Sequence, residues 1–393
     1  MPVVNHEILA WARESAGFSP EVAVKKLGLK PTRKLSALER LAALEAGELQ
    51  PSRALLVKMS QQFRRPLVAF YMAKVPSRGE RLEDFRAVLD RDSSSDGIVD
   101  AIVRDVKARQ SAVRDILLDD DEALPLPFVS SMKITDSVEA VATSIQKTLR
   151  LTLSEFRAQS NADQAFALLR SRAEAIGVFV LLIGNLGSHH TAVDAEAFRG
   201  FALADPIAPF VVINDQDAHS AWSFTLVHEL AHVWVGASGI SGKFSDQKTE
   251  KFCNDVASHF LLPTSELGLV GVDLETDFEE AARSITEFAR PRHLSSSMVA
   301  YRLPRENFIT NTTWQSLSSY FISQWRRMRE TRKEKAGESG PSYYVVRRHR
   351  LGHALLEFVS RGINEGTLTP TKAGRILGVK PRSVAPLLSD RAA

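Results

Sequence analysis

The sequence predicts an α+β protein: a small sheet against one long apolar helix, flanked before and after by helical blocks. Three observations carry this. Apolar residues recur at helical spacing through residues 1 to 75 and 275 to 332. Three short runs rich in β-branched and aromatic residues crowd between 175 and 213. Directly after them, the segment from Ala218 to Val235 carries apolar residues on most sides, the pattern of a helix inside a core.

The bulk numbers fit a chain of several globular parts. A length of 393 residues suits two or three domains, and 44% hydrophobic with 25% charged residues is ordinary for globular proteins. The longest apolar stretch, Ile176 to Ile183, is far short of a membrane span, so no membrane partner is expected. The opening MPVVNHEILAWARESAG reads as an amphipathic helix and lacks the charge, apolar and small-residue order of a signal peptide. One cysteine, Cys253, excludes an intrachain disulfide and suits a reducing cytoplasm. The net charge of +3 is too small to mark a nucleic-acid binder by itself, so its distribution matters more.

Residues 1–75 read as a helical unit punctuated by Pro20, by Gly28-Leu29-Lys30-Pro31 and by the stretch from Gly47 to Pro51. Residues 76–136 read as a linker, Pro76 to Gly97, followed by a helix over 98–118. From 137 to 172 two helices are expected, then strands at Ala175 to Ile183, Phe198 to Ala204 and Pro209 to Ile213. The Asn214-Asp215-Gln216-Asp217 run opens the apolar helix, and Gly236 stops it. A further helix from Asp246 ends before Pro263, because the residue before proline avoids the helical region. The central domain is thus 137–270, with a helical extension over 271–335, a second linker from Lys333 to Pro341, and a last helical unit over 345–393. No internal repeat stands out.

His228-Glu229-Leu230-Ala231-His232 is an HExxH sequence within the apolar helix. Four residues advance a helix by roughly 40° net, so both imidazoles leave one face a turn apart and can chelate one ion. The glutamate between them reaches a water on that ion. Two histidines merely packed in a core would bury polar groups without evident partners. Catalytic zinc needs a third protein ligand and one open position. The extended HExxHxxGxxH pattern is absent, since Val235 and Ser238 stand at its glycine and third histidine. The remaining option is a carboxylate from the next helix, which Glu250 supplies. His259, nine residues on, faces away from Glu250, while Cys253 and Asn254 share its side as packing and as a partner of the ligands. Zinc acidifies its water and polarises a carbonyl, and Glu229 acts as the general base. His219, His189, His190 and Tyr301 are the oxyanion candidates, each read first as an ordinary surface or core residue.

Ser223-Phe224-Thr225-Leu226-Val227 before HELAH, followed by Glu250-Lys-Phe-Cys-Asn254-Asp-Val-Ala257 and on to Leu262-Pro263, resembles the ImmA/IrrE metallopeptidase family. The upstream runs Glu196 to Asp205 and Pro209 to Asn214 are similar to the family's strands. The resemblance spans roughly 137 to 305 and implies a minimal zincin-like fold, with His228, His232 and Glu250 on zinc and Glu229 as base. It further implies a regulatory endopeptidase whose protein substrate is a helix-turn-helix repressor or antitoxin, cut to relieve repression.

The first 75 residues resemble Xre-type helix-turn-helix units. The resemblance lies in Ala43-Leu44-Glu45-Ala46-Gly47-Glu48 running to Pro51-Ser52, and in the aromatic-rich Gln61 to Met72. Between Leu27-Gly28 and Leu44-Glu45 the chain carries about seven extra residues, around two helical turns, where the recognition helix belongs. The C-terminal segment is basic, with Arg326, Arg327, Arg347 and Arg348 bracketing Tyr343-Tyr344. Thr369 to Val384 has the look of a second helix-turn-helix with Gly378 in the turn, carrying Lys372, Arg375, Lys380 and Arg382. Such a surface suits DNA phosphates, or is an ordinary solvated face. The alternative to the peptidase is therefore a DNA-binding regulator with a structural or sensory zinc. For substrate capture, the strand holding Phe198, Arg199, Gly200 and Phe201 is the expected free sheet edge.

Overall fold

The computed structural model describes residues 3–75, 94–119, 123–187, 191–237, 239–241, 247–335 and 342–389. Packing divides the chain into one unit of residues 1–105 with 185–193 and another of 106–184 with 194–393. The expected Pro76–Gly97 linker lies outside the described residues up to 93, and a helix already starts at Ser94. Residues 336–341 of the second expected linker also lie outside them. Among the described residues no helix is long and apolar enough to cross a membrane.

In the first unit, α1 (His6–Ser15), α2 (Pro20–Leu27), α3 (Ala37–Glu45) and α4 (Arg53–Gln62) precede a 3-10 turn at Leu67–Tyr71. Side-chain caps from Asn5, Ser19, Ser36 and Ser52 start the four helices, each satisfying an amide that the helix leaves open. Ile8, Leu9, Leu27, Leu41, Leu44, Leu56, Phe63 and Phe70 form their core. α5 (Ser94–Asp119) contains the boundary between the units.

The second unit opens with α6 (Val138–Leu149), α7 (Leu153–Arg157) and α8 (Ala162–Ala175), three helices where the periodicity suggested two. The four-stranded sheet has the order β1-β3-β2-β4. β1 (Phe179–Leu182) runs parallel to β3 (Phe210–Ile213), and β2 (Gly200–Leu203) is antiparallel to β3 and to β4 (Gly239–Ser241). Every residue of β1, β2 and β3 is buried, which is why these strands read as unbroken apolar runs rather than alternating ones. α9 (His219–Val235) packs on β2 and β3, and α10 (Gln247–Leu261) packs on α9 and α6. α11 (Phe278–Ala289), α12 (Ser296–Arg302) and α13 (Asn311–Lys335) continue the same core.

The last helices are α14 (Tyr343–Leu351), α15 (His353–Asn364), α16 (Pro370–Leu377) and α17 (Val384–Leu388). Buried Arg170 on α8 donates to the carbonyls of His349 and Val180, while Glu174 accepts from the amides of His353 and Ala354. A carboxylate over those amides caps α15, where the helix dipole favours negative charge. This ties α14 and α15 to α8 and covers the β1 side of the sheet.

One thirteen-residue pattern of capped helix and glycine turn occurs twice in the chain. Ser19-Pro20 to Lys30-Pro31 aligns with Thr369-Pro370 to Lys380-Pro381, identical at Pro20/Pro370, Ala23/Ala373, Leu27/Leu377, Gly28/Gly378, Lys30/Lys380 and Pro31/Pro381. Both copies are helices with a side-chain cap from Ser19 or Thr369, and both end on a left-handed glycine, φ 61° at Gly28 and 62° at Gly378. The next amide then reaches back to Val24 or Gly374, which closes the same C-terminal cap. The copies differ beyond the glycine. Twelve residues lie between Gly28 and buried Leu41, but only five between Gly378 and buried Val384.

Candidate metal centre

α9 is apolar nearly all round, with Leu226, Val227, Leu230, Ala231, Val233 and Trp234 completely buried, so its polar residues are held by packing. His228 and His232 lie a turn apart with their Nε2 atoms 3.1 Å from each other. Glu250, in the first turn of α10, completes the group: Oε2 is 3.4 Å from His228 Nε2 and Oε1 is 3.1 Å from His232 Nε2. Among the described residues these three side chains form a cluster able to hold a metal ion.

The donor set can be tested against an ion. Tetrahedral zinc with bonds of about 2.0–2.2 Å spaces its ligand atoms about 3.3–3.6 Å apart. The observed separations of 3.1–3.4 Å match that spacing within a few tenths of an ångström. Glu250 Oε1 stands 3.1 Å from His232 Nε2, close enough for both atoms to reach one ion. Two nitrogens and one carboxylate are a zinc-type set.

Electrostatics prepare the same groups. Burial pushes the His228 pKa down, favouring the neutral imidazole that a metal requires. Burial alone would raise the Glu250 carboxyl, but the two imidazoles outweigh it and hold the group well below the usual carboxylate range. The Cys253 thiol is pushed up by burial and then by Glu250 and Glu229, so it stays a neutral packing group. Asn254, the next residue on that side of α10, lies close enough to the His228 ring to act on it electrostatically.

Glu229 is completely buried, and β2 makes the room for it. A Cβ on Gly200 would lie 2.7 Å from Glu229 Oε1, 2.8 Å from the Val212 carbonyl and 2.9 Å from Thr225 Cγ2. Gly200 is therefore a position where strand and motif helix approach closely. This corrects the expectation that Phe198, Arg199, Gly200 and Phe201 form a free edge. β2 is paired on both sides, by β3 and by β4, and Phe198 and Phe201 are buried. The glycine signalled close backbone approach, and the short Gly239–Ser241 strand that covers this side carried no sequence signal of its own.

The other candidates fall elsewhere. His259 is half-buried near Arg302, Glu139 and Glu306, outside the cluster. His219 stacks on Trp222 at 4.1 Å and pairs with Asp163 at 2.7 Å. The Tyr301 hydroxyl donates to Asp255 at 2.9 Å under the Arg305 guanidinium, so it braces α12 against α10. Sequence reasoning missed that brace, because nothing local links Asp255 to residues 46 and 50 positions away. His189 and His190 lie outside the described residues.

The basic candidates divide. Arg326 pairs with Glu196, and neighbouring Arg329 pairs with Asp194. Arg347 donates to the Leu377 and Gly378 carbonyls, and Arg348 to that of Ser389, so both brace the C-terminal helices. Arg327, Lys372, Arg375, Lys380 and Arg382 are exposed.

Residues 183–304 match the model of the Peptidase_M78 family, described as the IrrE N-terminal-like domain. This is a metallopeptidase family. The matched span runs from β2 through α12 and contains His228, Glu229, His232 and Glu250. It begins after α6, α7, α8 and β1, which the sequence resemblance had taken in, and ends before α13. No curated protein and no solved structure matches the chain.

Proposed function

We propose that this chain is a zinc-dependent regulatory endopeptidase, with His228, His232 and Glu250 as ligands and Glu229 as general base. One observation carries the reading: two imidazole nitrogens and a carboxylate converge at zinc spacing, with a second, buried carboxylate one residue along the same helix. Bound there, zinc lowers the pKa of a water and polarises a substrate carbonyl. Glu229 takes the proton of the attacking water and delivers it to the leaving amine. Its burial beneath β2 keeps it from solvent and fixes its direction through Gly200. Asn254, beside the His228 ring, is assigned the role of orienting it.

A purely structural zinc has no use for a base beside an open position, which weighs against the sensory or structural alternative. The family resemblance supports a protein substrate of the helix-turn-helix repressor or antitoxin class, cleaved in the cytoplasm to relieve repression. The test is co-expression of this chain with transcription factors from its own genome, followed by peptide mapping. A factor cut by wild type and spared by Glu229→Gln identifies the substrate. Identical peptide maps for the two chains across the whole set would remove the repressor class.

A further inference from the structure

We propose that the C-terminal copy of the repeat, α16 with α17, is a docking unit for duplex DNA that grips the phosphate backbone and reads little sequence. Its connection is short. Gly378, Val379 and Lys380 form a three-residue turn on a left-handed glycine, after which a 3-10 turn at Pro381–Ser383 leads into α17. Helix, glycine turn and helix in this spacing is the arrangement that lays a second helix against a DNA groove. The turn is braced from within the protein by Arg347, which bonds the carbonyls of Leu377 and Gly378. Ala373, Ile376, Leu377, Val384 and Leu387 are buried, so the two helices are one packed piece.

The charge of this piece has one sign. Lys372, Arg375, Lys380 and Arg382 are all exposed, and residues 366–389 contain no aspartate or glutamate. Elsewhere in the basic segment, carboxylates already meet Arg326, Arg329 and Arg350. On the second helix, the exposed positions after Arg382 are Ala385, Pro386 and Ser389. None carries the amide or guanidinium that pairs bidentately with a base edge. Phosphate contacts position a protein without reading sequence, and they are what this surface offers.

The N-terminal copy is the internal control. Nine residues, 28–36, connect α2 to α3, and the exposed positions at the start of α3 are Leu38, Glu39 and Ala42. That copy also exposes cations, Lys25, Lys26, Lys30, Arg33 and Lys34, but Glu21 and Glu39 stand exposed among them and the long connection replaces the turn that sets the two helices together. The N-terminal connection is thus three residues longer than the six, 378–383, that lie between α16 and α17.

The test uses the full chain and short labelled duplexes of two unrelated sequences, with anisotropy followed between about 50 and 200 mM salt. Four phosphate contacts predict a slope of log affinity on log salt of about −3.6, and hence about a 150-fold loss across that range. Single changes at Lys372, Arg375, Lys380 or Arg382 to glutamine should each make the slope shallower by about 0.9, equally for both duplexes. The charge-retaining pair Lys372→Arg with Lys380→Arg should keep it, which separates lost charge from lost folding. Lys25→Gln with Lys26→Gln should leave it unchanged. Glu229→Gln should bind as wild type, so this result stands apart from the peptidase reading. A flat salt dependence overturns the proposal. So do equal binding of a single strand, discrimination between the two duplexes above a hundredfold, or loss through the N-terminal variants.

Discussion

The metal centre and the C-terminal helices hold their functional side chains in opposite ways. At the metal centre His228, Glu229 and His232 are 4%, 0% and 2% exposed, locked by the apolar faces of α9 and by the close passage of β2. On α16 and α17 the cations stand in solvent around a packed scaffold. Burial fixes geometry to tenths of an ångström and makes each group indispensable, because a lost partner strands another in low dielectric. Exposure lets several groups share one task, so each contributes a small, nearly additive part.

The sharpest break in that contrast comes at the third ligand. Glu250→Ala removes one of three converging donors and should reduce zinc affinity more than a hundredfold, while His259→Ala should leave it unchanged, measured by competition with a chelator. Zinc lost with His259→Ala but kept with Glu250→Ala would move the ligand from Glu250 to His259. Asn254→Ala should weaken zinc less, by about 10–100-fold, since it orients His228 without binding the ion. The same competition assay reads it.

Gly200→Ala probes the strand that makes the site. The new methyl meets the Val212 carbonyl as well as Glu229, and backbone in a sheet cannot step aside. A cost of about 1–3 kcal/mol in denaturant unfolding is expected, with a loss of turnover beyond what unfolding explains. Wild-type stability and turnover would show that β2 yields more easily than its pairing suggests.

How far the sequence disclosed these features follows from their range. The paired histidines were legible because four residues of helix fix them, and Glu250 because it opens the next helix. Gly200 was visible but misread, since a strand glycine signals either a free edge or close approach, and only the pairing partner decides. That partner, β4, is three residues long and lies beyond the reach of periodicity. The repeat escaped because six identities within thirteen positions, 350 residues apart, carry little weight until both copies show the same cap and the same glycine angle. The longer connection in the N-terminal copy was readable from spacing alone.

The smallest effect belongs to the repeat itself. Gly378→Ala and Gly28→Ala both force a side chain into the left-handed region, at about 1–2 kcal/mol each. The C-terminal change should cost more, because its methyl meets the Arg109 and Arg347 guanidinium groups, Arg109 being buried, whereas at Gly28 only the end of Lys58 is near. Urea unfolding of the two single variants measures the difference. A larger loss at Gly28 would show that the C-terminal turn is the looser one.

The central claim is that a buried base acts beside an intact metal site. The direct measurement is zinc content and proteolysis on the same purified Glu229→Gln preparation, using the substrate identified by co-expression. The isosteric amide keeps both histidines and Glu250 in place but cannot accept a proton. The account predicts about one zinc per chain, as in wild type, and no cleavage. Cleavage at the wild-type rate with zinc retained would contradict it.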